Sequence, residues 1–250
     1  MSPRGLARKA KEKGTLPVPS ETFALRARLQ RLQRREGGFA LLNNSNRDHA
    51  AMPVNNRTDI NDIARLLSRA FFHDPLFVHF FPDPKQRERL SFYTFRALVA
   101  HACHHGSINT TSQSLDGAAV WLPSGSLHRS LLDMLRFGAL PALMRQGLRA
   151  VKRQFDAGEA MQSLHDQLIH EPHHYLALLG VDPTRQGRGL ATGLLQPTLD
   201  QLDRDGLPCY LDTQSPDNVS LYQRFGFRVI HEGVLPGTAV PHWAMLREAR

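Results

Sequence analysis

The chain has 250 residues, of which 41% are hydrophobic and 22% are charged, a composition typical of a globular protein. Its length allows one large domain or two small ones, with a core that can enclose a pocket. Cys103 and Cys209 are its two cysteines and provide neither a disulfide framework nor a zinc pattern, which fits a reducing compartment. No apolar run approaches the roughly 18 residues of a membrane helix, and no apolar signal core follows the N-terminus. We therefore expect a cytoplasmic protein without a membrane partner.

The net charge of +8 belongs almost entirely to the N-terminal segment. Residues 1–51 contain 11 Lys and Arg against 4 Asp and Glu, whereas residues 52–250 contain 20 against 19. The nearly neutral remainder argues against a nucleic-acid partner. We predict a basic, disordered extension at 1–51 and a domain at 52–250.

Three interpretations of this extension remain open. Its stretch ETFALRARLQRLQRRE has apolar residues at helical spacing with arginines between them, which suits a contact with nucleic acid or an anionic surface. An Arg-rich organellar presequence has a similar composition. The third interpretation is a dispensable extension, with translation starting at Met52, where MPVNNRTDINDIARLL looks like the first strand and helix of a domain.

The first half of the domain is predicted to be mainly helical. Apolar residues recur at helical spacing after Thr58, and this helix should stop before Pro75, because a residue preceding proline disfavours the helical conformation. A second long helix is predicted after a turn at Pro82–Pro84, ending near Gly106. GAAVWLP is then predicted to form a buried strand.

A helical insertion is predicted at about 127–170. The pattern there is mainly helical, with breaks expected around Gly138–Pro141, Gly147 and Gly158. The insertion carries no recognisable motif.

The second half alternates strands and helices. Pro197 lies inside the first of these helices, and Gly206 is its predicted C-cap. This order predicts an α/β or α+β sandwich around a mixed sheet. The elements are the strand HYLALLGV, a helix from about Leu190 to Asp205, the strand PCYLDT, the short helix NVSLYQRFG and the strands FRVIHEGV and HWAMLR.

The stretch VDPTRQGRGLATGLL, residues 181–195, places three glycines and two arginines between a strand and a helix. Backbone N–H groups at a helix N-terminus bind phosphate, and glycines let phosphate oxygens approach the backbone. A dinucleotide fingerprint requires its third glycine at the position of Thr192, but here it is Gly193; Asp212 does stand where the ribose-binding acid would. A triphosphate loop requires a Gly-Lys-Ser or Gly-Lys-Thr that does not follow. A dinucleotide and the pyrophosphate of coenzyme A remain.

Two motifs distinguish between these two ligands. QGRGLA, Gln186 to Ala191, fits Q/R-x-x-G-x-G/A, and NVSLYQRFGF, Asn218 to Phe227, fits N-x-x-x-Y-x-x-x-G-F. In this order, on strand–loop–helix and strand–helix–strand units, they resemble the GCN5-related N-acetyltransferase (GNAT) superfamily. Residues 175–230 look most like the puromycin N-acetyltransferases and their relatives. Residues 58–135 are similar to the family's acceptor-side helices and third strand.

The resemblance implies a fold and a reaction. The fold would be an α/β (α+β) domain with a mixed, mainly antiparallel central sheet flanked by helices, and with the helical insertion before the strand that binds coenzyme A. The reaction would be acetyl transfer from acetyl-CoA to a primary amine of a small molecule, by direct attack in a ternary complex and without a metal. A non-catalytic acetyl-CoA sensor or interaction module is the alternative. We expect no nucleic-acid partner, and a monomer or homodimer.

The resemblance also implies which residues bind the cofactor. The first motif would hold the pyrophosphate, with Arg185 and Arg188 adding positive charge, and the strand end before it would pair with the pantetheine arm and polarise the carbonyl. Asn218 would hydrogen-bond the cofactor or cap its helix. The cofactor-binding residues are then Leu179, Gly180, Val181, Gln186, Gly187, Arg188, Gly189, Leu190, Ala191 and Asn218.

Catalytic roles are implied for two side chains. Tyr222, with an ordinary phenol pKa of about 10, would protonate the leaving thiolate, unless it is a core tyrosine. Asp212 stands where several family members have a Glu, and it would take the amine proton through water or cap a turn. As a base at neutral pH, it would need a pKa raised from about 3.9. His73 and Asp74 are acceptor-site candidates, because their loop borders the acceptor pocket in the family.

The histidines do not predict a metal site. His101 and His105 are one helical turn apart, but the spacing matches no structural zinc or metalloprotease pattern. Polar pocket lining or surface is the better interpretation of these side chains and of Cys103, His104, His170, His173 and His174.

Overall fold

The computed structural model describes residues 57–111, 114–126 and 139–250. The basic extension, the strand predicted after Met52 and part of the helical insertion lie outside the described residues, so the domain boundary near residue 51 stays a prediction. Among the described helices, none combines the length and apolar character needed to cross a membrane.

Three helices open the domain: α1 (Arg57–Ala70), α2 (Pro75–Phe80) and α3 (Pro84–His105). Two Asp-Pro pairs explain where α2 and α3 begin. Asp74 and Asp83 accept backbone N–H bonds as N-caps, and the proline after each occupies the first helical position, where no N–H is needed. The predicted long helix ending at Gly106 is confirmed.

The described part of the helical insertion consists of α4 (Ala139–Gln146) and α5 (Leu148–Leu168). The break predicted at Gly147 is confirmed, and its φ of 77° suits glycine. The break predicted at Gly158 is wrong, because this glycine lies inside the 21-residue α5 at a cost to the helix of about 1 kcal/mol. The break predicted around Gly138–Pro141 falls where α4 begins, next to residues outside the described part of the chain.

A six-stranded sheet in the order β1-β2-β3-β4-β6-β5 forms the centre of the domain. β3 and β4 are parallel and every other neighbouring pair is antiparallel, which confirms the predicted mixed, mainly antiparallel sheet. The short β1 was not predicted. The strands are β1 (Ser107–Thr110), β2 (Gly117–Pro123), β3 (His174–Val181), β4 (Cys209–Thr213), β5 (Arg228–Val234) and β6 (Pro241–Arg247).

Two further helices follow the parallel strands: α6 (Leu190–Asp205) after β3 and α7 (Pro216–Arg224) after β4. The bounds of α6 are those predicted, and Gly206 caps it in the left-handed conformation. Pro197 is accommodated inside the continuous helix. The buried face of α6 consists of Leu194, Leu195, Leu199 and Leu202.

The parallel strands β3 and β4 stay together for only a short distance. Their register joins His174–Leu176 to Cys209–Leu211, whereas β3 remains paired with β2 as far as Val181. Within the described residues, the β4-facing edge of Ala177–Val181 therefore has no strand partner. Such an edge presents backbone donors and acceptors to whatever lies beside it.

An ion pair between a buried arginine and a partly buried aspartate joins the last strand to α6. The guanidinium of Arg247, which is 3% exposed, donates from both Nη atoms to the Asp203 carboxylate at 2.7 Å, and from Nε to the carbonyl of Phe225 at 2.9 Å. The hydrogen bonds from Arg247 lower the pKa of Asp203. A carboxyl group with a lowered pKa in the folded state stabilises the fold above its unfolded pKa and loses this contribution as the pH falls.

We expect Asp203→Asn to lower the free energy of unfolding by about 2–3 kcal/mol at pH 7, because Arg247 loses its charged partner. The difference from the wild type should shrink as the pH falls below about 4, because the unfolded chain then binds a proton at Asp203 that the folded chain binds only at lower pH. Urea unfolding at pH 7 and pH 3 measures both values. Asp200→Asn, an exposed change on the same helix, should cost less than about 0.5 kcal/mol. An equal loss for Asp203→Asn at the two pH values would contradict this account.

Candidate active site

The loop between β3 and α6 presents backbone to solvent. Asp182 caps the short 3-10 turn Pro183–Arg185 by accepting from the backbone N–H of Thr184. Gly187 and Gly189 both have a φ of 75°, and a Cβ at either position would meet nothing within 4 Å. The glycines are therefore explained by their left-handed backbone and by the open space beside them. Gly189 is also the N-cap residue from which α6 starts.

Two ion pairs fix this loop to neighbouring parts of the fold. Arg69 on α1 donates to Asp182 at 2.8–2.9 Å, and Arg185 lies 3.6 Å from Asp116. The Gln186 side chain bonds back to the carbonyl of Val181 at 3.3 Å. Among the ion pairs of the described residues, none involves the exposed Arg188. The guanidinium of Arg188 is thus available at the N-terminus of α6, where helix polarity favours an anion.

A cavity of about 280 Å³ lies beside the open edge of β3. It is bounded by α2, α3, α5 and α7, by β2 and β3, and by the C-terminal end of β4. Its apolar lining includes Phe71, Phe77, Phe80, Leu98, Val120 and Met161, and its polar lining includes Asp74, His165, Tyr175, Asp212, Asn218 and Tyr222.

The structure separates the predicted cofactor residues into two groups. Leu179 and Asn218 line the cavity, whereas Gln186–Gly189 lie on the loop beyond the end of β3, and Leu190 and Ala191 begin α6. Asn218 lies within the first turn of α7, whose N-cap is Ser215, and its amide donates to the Thr213 hydroxyl at 3.1 Å.

Gly180 has a packing role that the sequence did not indicate. A Cβ at this position would lie 2.7 Å from Cδ2 of Leu67 and 3.1 Å from Cβ of Ala70, both on α1. Only a residue without a side chain therefore lets α1 lie this close to β3.

Tyr222 lines the cavity from α7. It is 6% exposed, and its ring packs edge-on against Phe227 at 5.9 Å between centroids. Burial raises the pKa of the Tyr222 phenol, and the charge of Asp74 raises it further. The phenol therefore keeps its proton at neutral pH.

Asp212 is held by three side chains. The Tyr210 hydroxyl donates to Oδ1 at 2.7 Å and the Tyr175 hydroxyl to Oδ2 at 3.1 Å. Nε2 of His242 lies 3.0 Å from Oδ1, within ion-pair distance although not aligned as a hydrogen bond. The Asp212 side chain is 4% exposed. Both of its oxygens are thus engaged before any ligand arrives.

The two acceptor-site candidates occupy different environments. His73 is exposed, outside the cavity lining, and its ring packs edge-on against Phe72. Asp74 lines the cavity, and its Oδ1 accepts from the backbone N–H groups of Leu76 and Phe77 at 2.9 and 3.3 Å. Burial raises the pKa of Asp74 to about 6, even though those two hydrogen bonds lower it.

Sequence reasoning missed three polar residues near the cavity: His165, Tyr175 and Tyr210. Tyr175 and Tyr210 are register partners on β3 and β4, so alternation along the two strands could have placed them together. His165 lies on the motif-free insertion. In the described residues, no group of three or more His, Cys, Asp or Glu side chains is arranged to hold a metal ion.

Comparisons with known proteins identify similar acetyltransferases. The model of the acetyltransferase (GNAT) family matches residues 154–227. An uncharacterized N-acetyltransferase of Schizosaccharomyces pombe is 27% identical over 177 residues, which cover 68% of this chain and 70% of the relative.

Solved structures share the fold. The histone acetyltransferase HPA2 and related acetyltransferase of Corynebacterium glutamicum has a TM-score of 0.56 at 18% identity, over 80% of this chain and 96% of that one. Arylalkylamine N-acetyltransferase 2 of Aedes aegypti has a TM-score of 0.50 at 13% identity, over 80% and 98%.

Residues 154–227 therefore resemble the GNAT family of acetyltransferases. The family match and the curated relative support N-acetyltransferase activity, and the family match implies acetyl transfer from acetyl-CoA. The resemblance found in the sequence is thereby confirmed.

We expect Gly189→Ala to lower the free energy of unfolding by about 1–2 kcal/mol, because alanine is strained at a φ of 75°. The added methyl group should also weaken acetyl-CoA binding, since it occupies the side from which phosphate would approach. Thermal unfolding with acetyl-CoA at a hundred times the wild-type Kd measures this, because the wild type should gain about 2.7 kcal/mol.

Gly206→Ala is the matched control at the other end of α6. Its φ is 66° and a Cβ would again meet nothing within 4 Å, so the strain is similar. This variant should keep the full stabilisation by acetyl-CoA. Equal stabilisation of both variants would show that the loop does not hold the ligand.

Proposed function

We propose that the protein transfers the acetyl group of acetyl-CoA to the primary amine of a compact small molecule with an apolar body. The observation that carries the proposal is that Tyr222 and Asp74 line the same buried cavity as Leu179 on the open edge of β3. The cavity volume is about 280 Å³, and Phe77 and Phe80 of α2 contribute aromatic surface to its wall. A small amine with a hydrophobic group fits this lining better than a strongly polar one.

The loop and the strand edge fit the chemistry of acetyl-CoA. Exposed amides at the start of α6 and the Arg188 guanidinium suit a pyrophosphate. The unpaired edge of Ala177–Val181 suits an arm that carries amide groups, as pantetheine does. When bound, acetyl-CoA supplies a thioester whose carbonyl carbon is open to attack by an amine.

We assign the role of general base, which takes the proton from the amine, to Asp74 rather than to Asp212. The hydrogen bonds to Asp74 both end on Oδ1, which leaves Oδ2 for the cavity, whereas Tyr175 and Tyr210 occupy both oxygens of Asp212. A pKa of about 6 lets Asp74 be ionised at pH 7 and still accept a proton from an ammonium group. Asp212 then holds β3 and β4 together at the point where they separate.

We assign the role of general acid to Tyr222. Its raised pKa keeps the hydroxyl protonated, so it can donate a proton to the sulfur as the C–S bond breaks. Leu179 lies on the strand edge beside the same cavity, where a backbone N–H can polarise the thioester carbonyl.

Thiol release tests the proposal directly. The purified chain is given acetyl-CoA and a panel of primary amines that includes arylalkylamines, aminonucleosides, amino acids and polyamines. We expect free thiol to appear with at least one compact apolar amine. Thermal stabilisation by acetyl-CoA without turnover of any amine would support the non-catalytic sensor instead, and the absence of stabilisation would exclude both functions.

We expect Tyr222→Phe to lower kcat about 10²- to 10⁴-fold while the stabilisation by acetyl-CoA stays unchanged, because only the proton donor is removed. Steady-state thiol release and thermal unfolding provide the two measurements. Tyr93→Phe, a hydroxyl deletion on α3 outside the cavity lining, serves as the control and should keep the wild-type rate. A wild-type kcat in the Tyr222→Phe enzyme would rule out Tyr222 as the general acid.

Asp74→Asn separates catalysis from folding at one position. Asparagine caps a helix about as well as aspartate, so α2 should keep its N-terminus and the free energy of unfolding should not fall. The kcat should drop by about 10² or more, because an amide accepts no proton. In the wild type, kcat should decline as the pH falls below about 6, where Asp74 becomes protonated. A pH–rate profile without this decline would contradict the assignment.

A further inference from the structure

Gly158 is a helix-interior glycine that neither backbone geometry nor packing explains. It lies in the middle of α5, and it is not among the glycines with a positive φ. A Cβ at this position would meet no atom of the described residues within 4 Å, whereas a Cβ at Gly180 would collide with α1. Alanine would fit here and would stabilise the helix, because glycine loses more conformational freedom on folding. The missing side chain is therefore not a requirement of the fold.

The cavity opens to solvent at this glycine. Among the described residues that line the cavity, Gly158 is the exposed one, and the others are buried or half-buried. A residue that both lines a cavity and is exposed lies at its mouth. The other residues of α5 that line the cavity follow helical spacing and carry long side chains: Gln154, Met161, Gln162 and His165. Gly158 is thus a gap in a row of side chains along one face of α5.

Hydrogen bonds hold the two neighbouring glutamines away from this gap. Gln154, one turn before Gly158, donates from Nε2 to the Gln146 side chain at 3.0 Å, towards the start of the helix. Gln162, one turn after Gly158, donates from Nε2 to Asp166 at 2.8 Å, towards the end of the helix. Both amides therefore point away from position 158, and neither side chain closes the gap.

Acetyl-CoA does not need this opening. The contacts assigned to it lie on the edge of β3, on the loop that follows and on α6 and α7, and α5 supplies none of them. In a ternary complex both substrates occupy the site at once, so the acceptor needs a route that the cofactor leaves free. The opening at Gly158 provides such a route. Met161, which also lines the cavity from α5, suits an acceptor with an apolar body.

We propose that Gly158 is a specificity-determining residue that admits acceptors with bulk at the end far from the amine. This inference rests on the proposed function and adds the shape of its substrate. With the amine at Asp74, the apolar body of the acceptor extends to the mouth of the cavity and lies against the bare backbone of α5. A side chain at position 158 would fill the space that this far end occupies. The acceptor is therefore a primary amine whose apolar group is extended or substituted opposite the nitrogen.

The test compares 2-phenylethylamine with 2-(4-tert-butylphenyl)ethylamine, using the full-length chain and saturating acetyl-CoA. The two compounds share the amine and the spacer, so they differ only in bulk at the far end of the ring. We expect the wild type to acetylate both. For Gly158→Leu, kcat/KM should fall about 10²-fold with the larger amine and stay within about threefold with the smaller one. Gly158→Ala, which adds one methyl group, should lose about tenfold with the larger amine alone.

Thermal unfolding separates this role from a structural one. The Tm of Gly158→Ala should lie about 2–4 °C above that of the wild type, because alanine is the better helix former. A lower rate in a more stable chain does not result from misfolding. Ser163→Leu, an exposed change on the same helix outside the cavity lining, is the matched control and should leave both rates unchanged.

The outcomes distinguish failure of this inference from failure of the proposed function. Wild-type turnover of 2-phenylethylamine alone would overturn the inference and leave the proposed function standing. A Gly158→Leu enzyme that keeps the wild-type kcat/KM with both amines, or loses the same factor with both, would also overturn the inference. Turnover of neither amine by the wild type, despite thermal stabilisation by acetyl-CoA, would overturn the proposed function together with the inference.

Discussion

The separation of β3 from β4 beyond Leu176 is the constraint on which the rest of the structure depends. Asp212 binds Tyr210 on its own strand and Tyr175 on β3, and so holds the two strands where their pairing ends. Past this point β2 alone pairs with β3, which leaves an unpaired edge and room for a cavity beside it. One buried carboxylate thus lies at the boundary between the sheet and the space for a ligand.

The helices that enclose this space change the chemistry of two groups within it. Removal from water raises the pKa of Asp74 to about 6 and raises that of Tyr222 as well. The same dehydration gives a carboxyl group that can act as a base near neutral pH and a phenol that stays protonated. Because the folded state binds the Asp74 proton more tightly than the unfolded state does, this residue reduces stability as the pH rises from about 4 to 6.

Local signals predicted the second half of the domain well. Gly189 and Gly206 delimit α6, and apolar runs identify β3 and β4, because caps and buried strands depend on neighbouring residues. The short β1 was missed, since four residues with one buried side chain carry little pattern. The bond between Tyr175 and Asp212 joins residues 37 apart and exists only in the parallel register, which no local signal encodes. Burial of Asp74 likewise depends on packing that only the folded chain creates.

The close contact at Gly180 links α1 to the loop between β3 and α6. α1 lies against β3 at a distance that any side chain at this position would increase, and the same helix carries Arg69, which grips Asp182 at the start of the loop. Because Arg69 lies between Leu67 and Ala70 on α1, a side chain at position 180 that displaced these two residues would also shift Arg69 and, through Asp182, the loop. We therefore expect related sequences that differ in the packing of α1 against β3 to differ in ligand affinity as well.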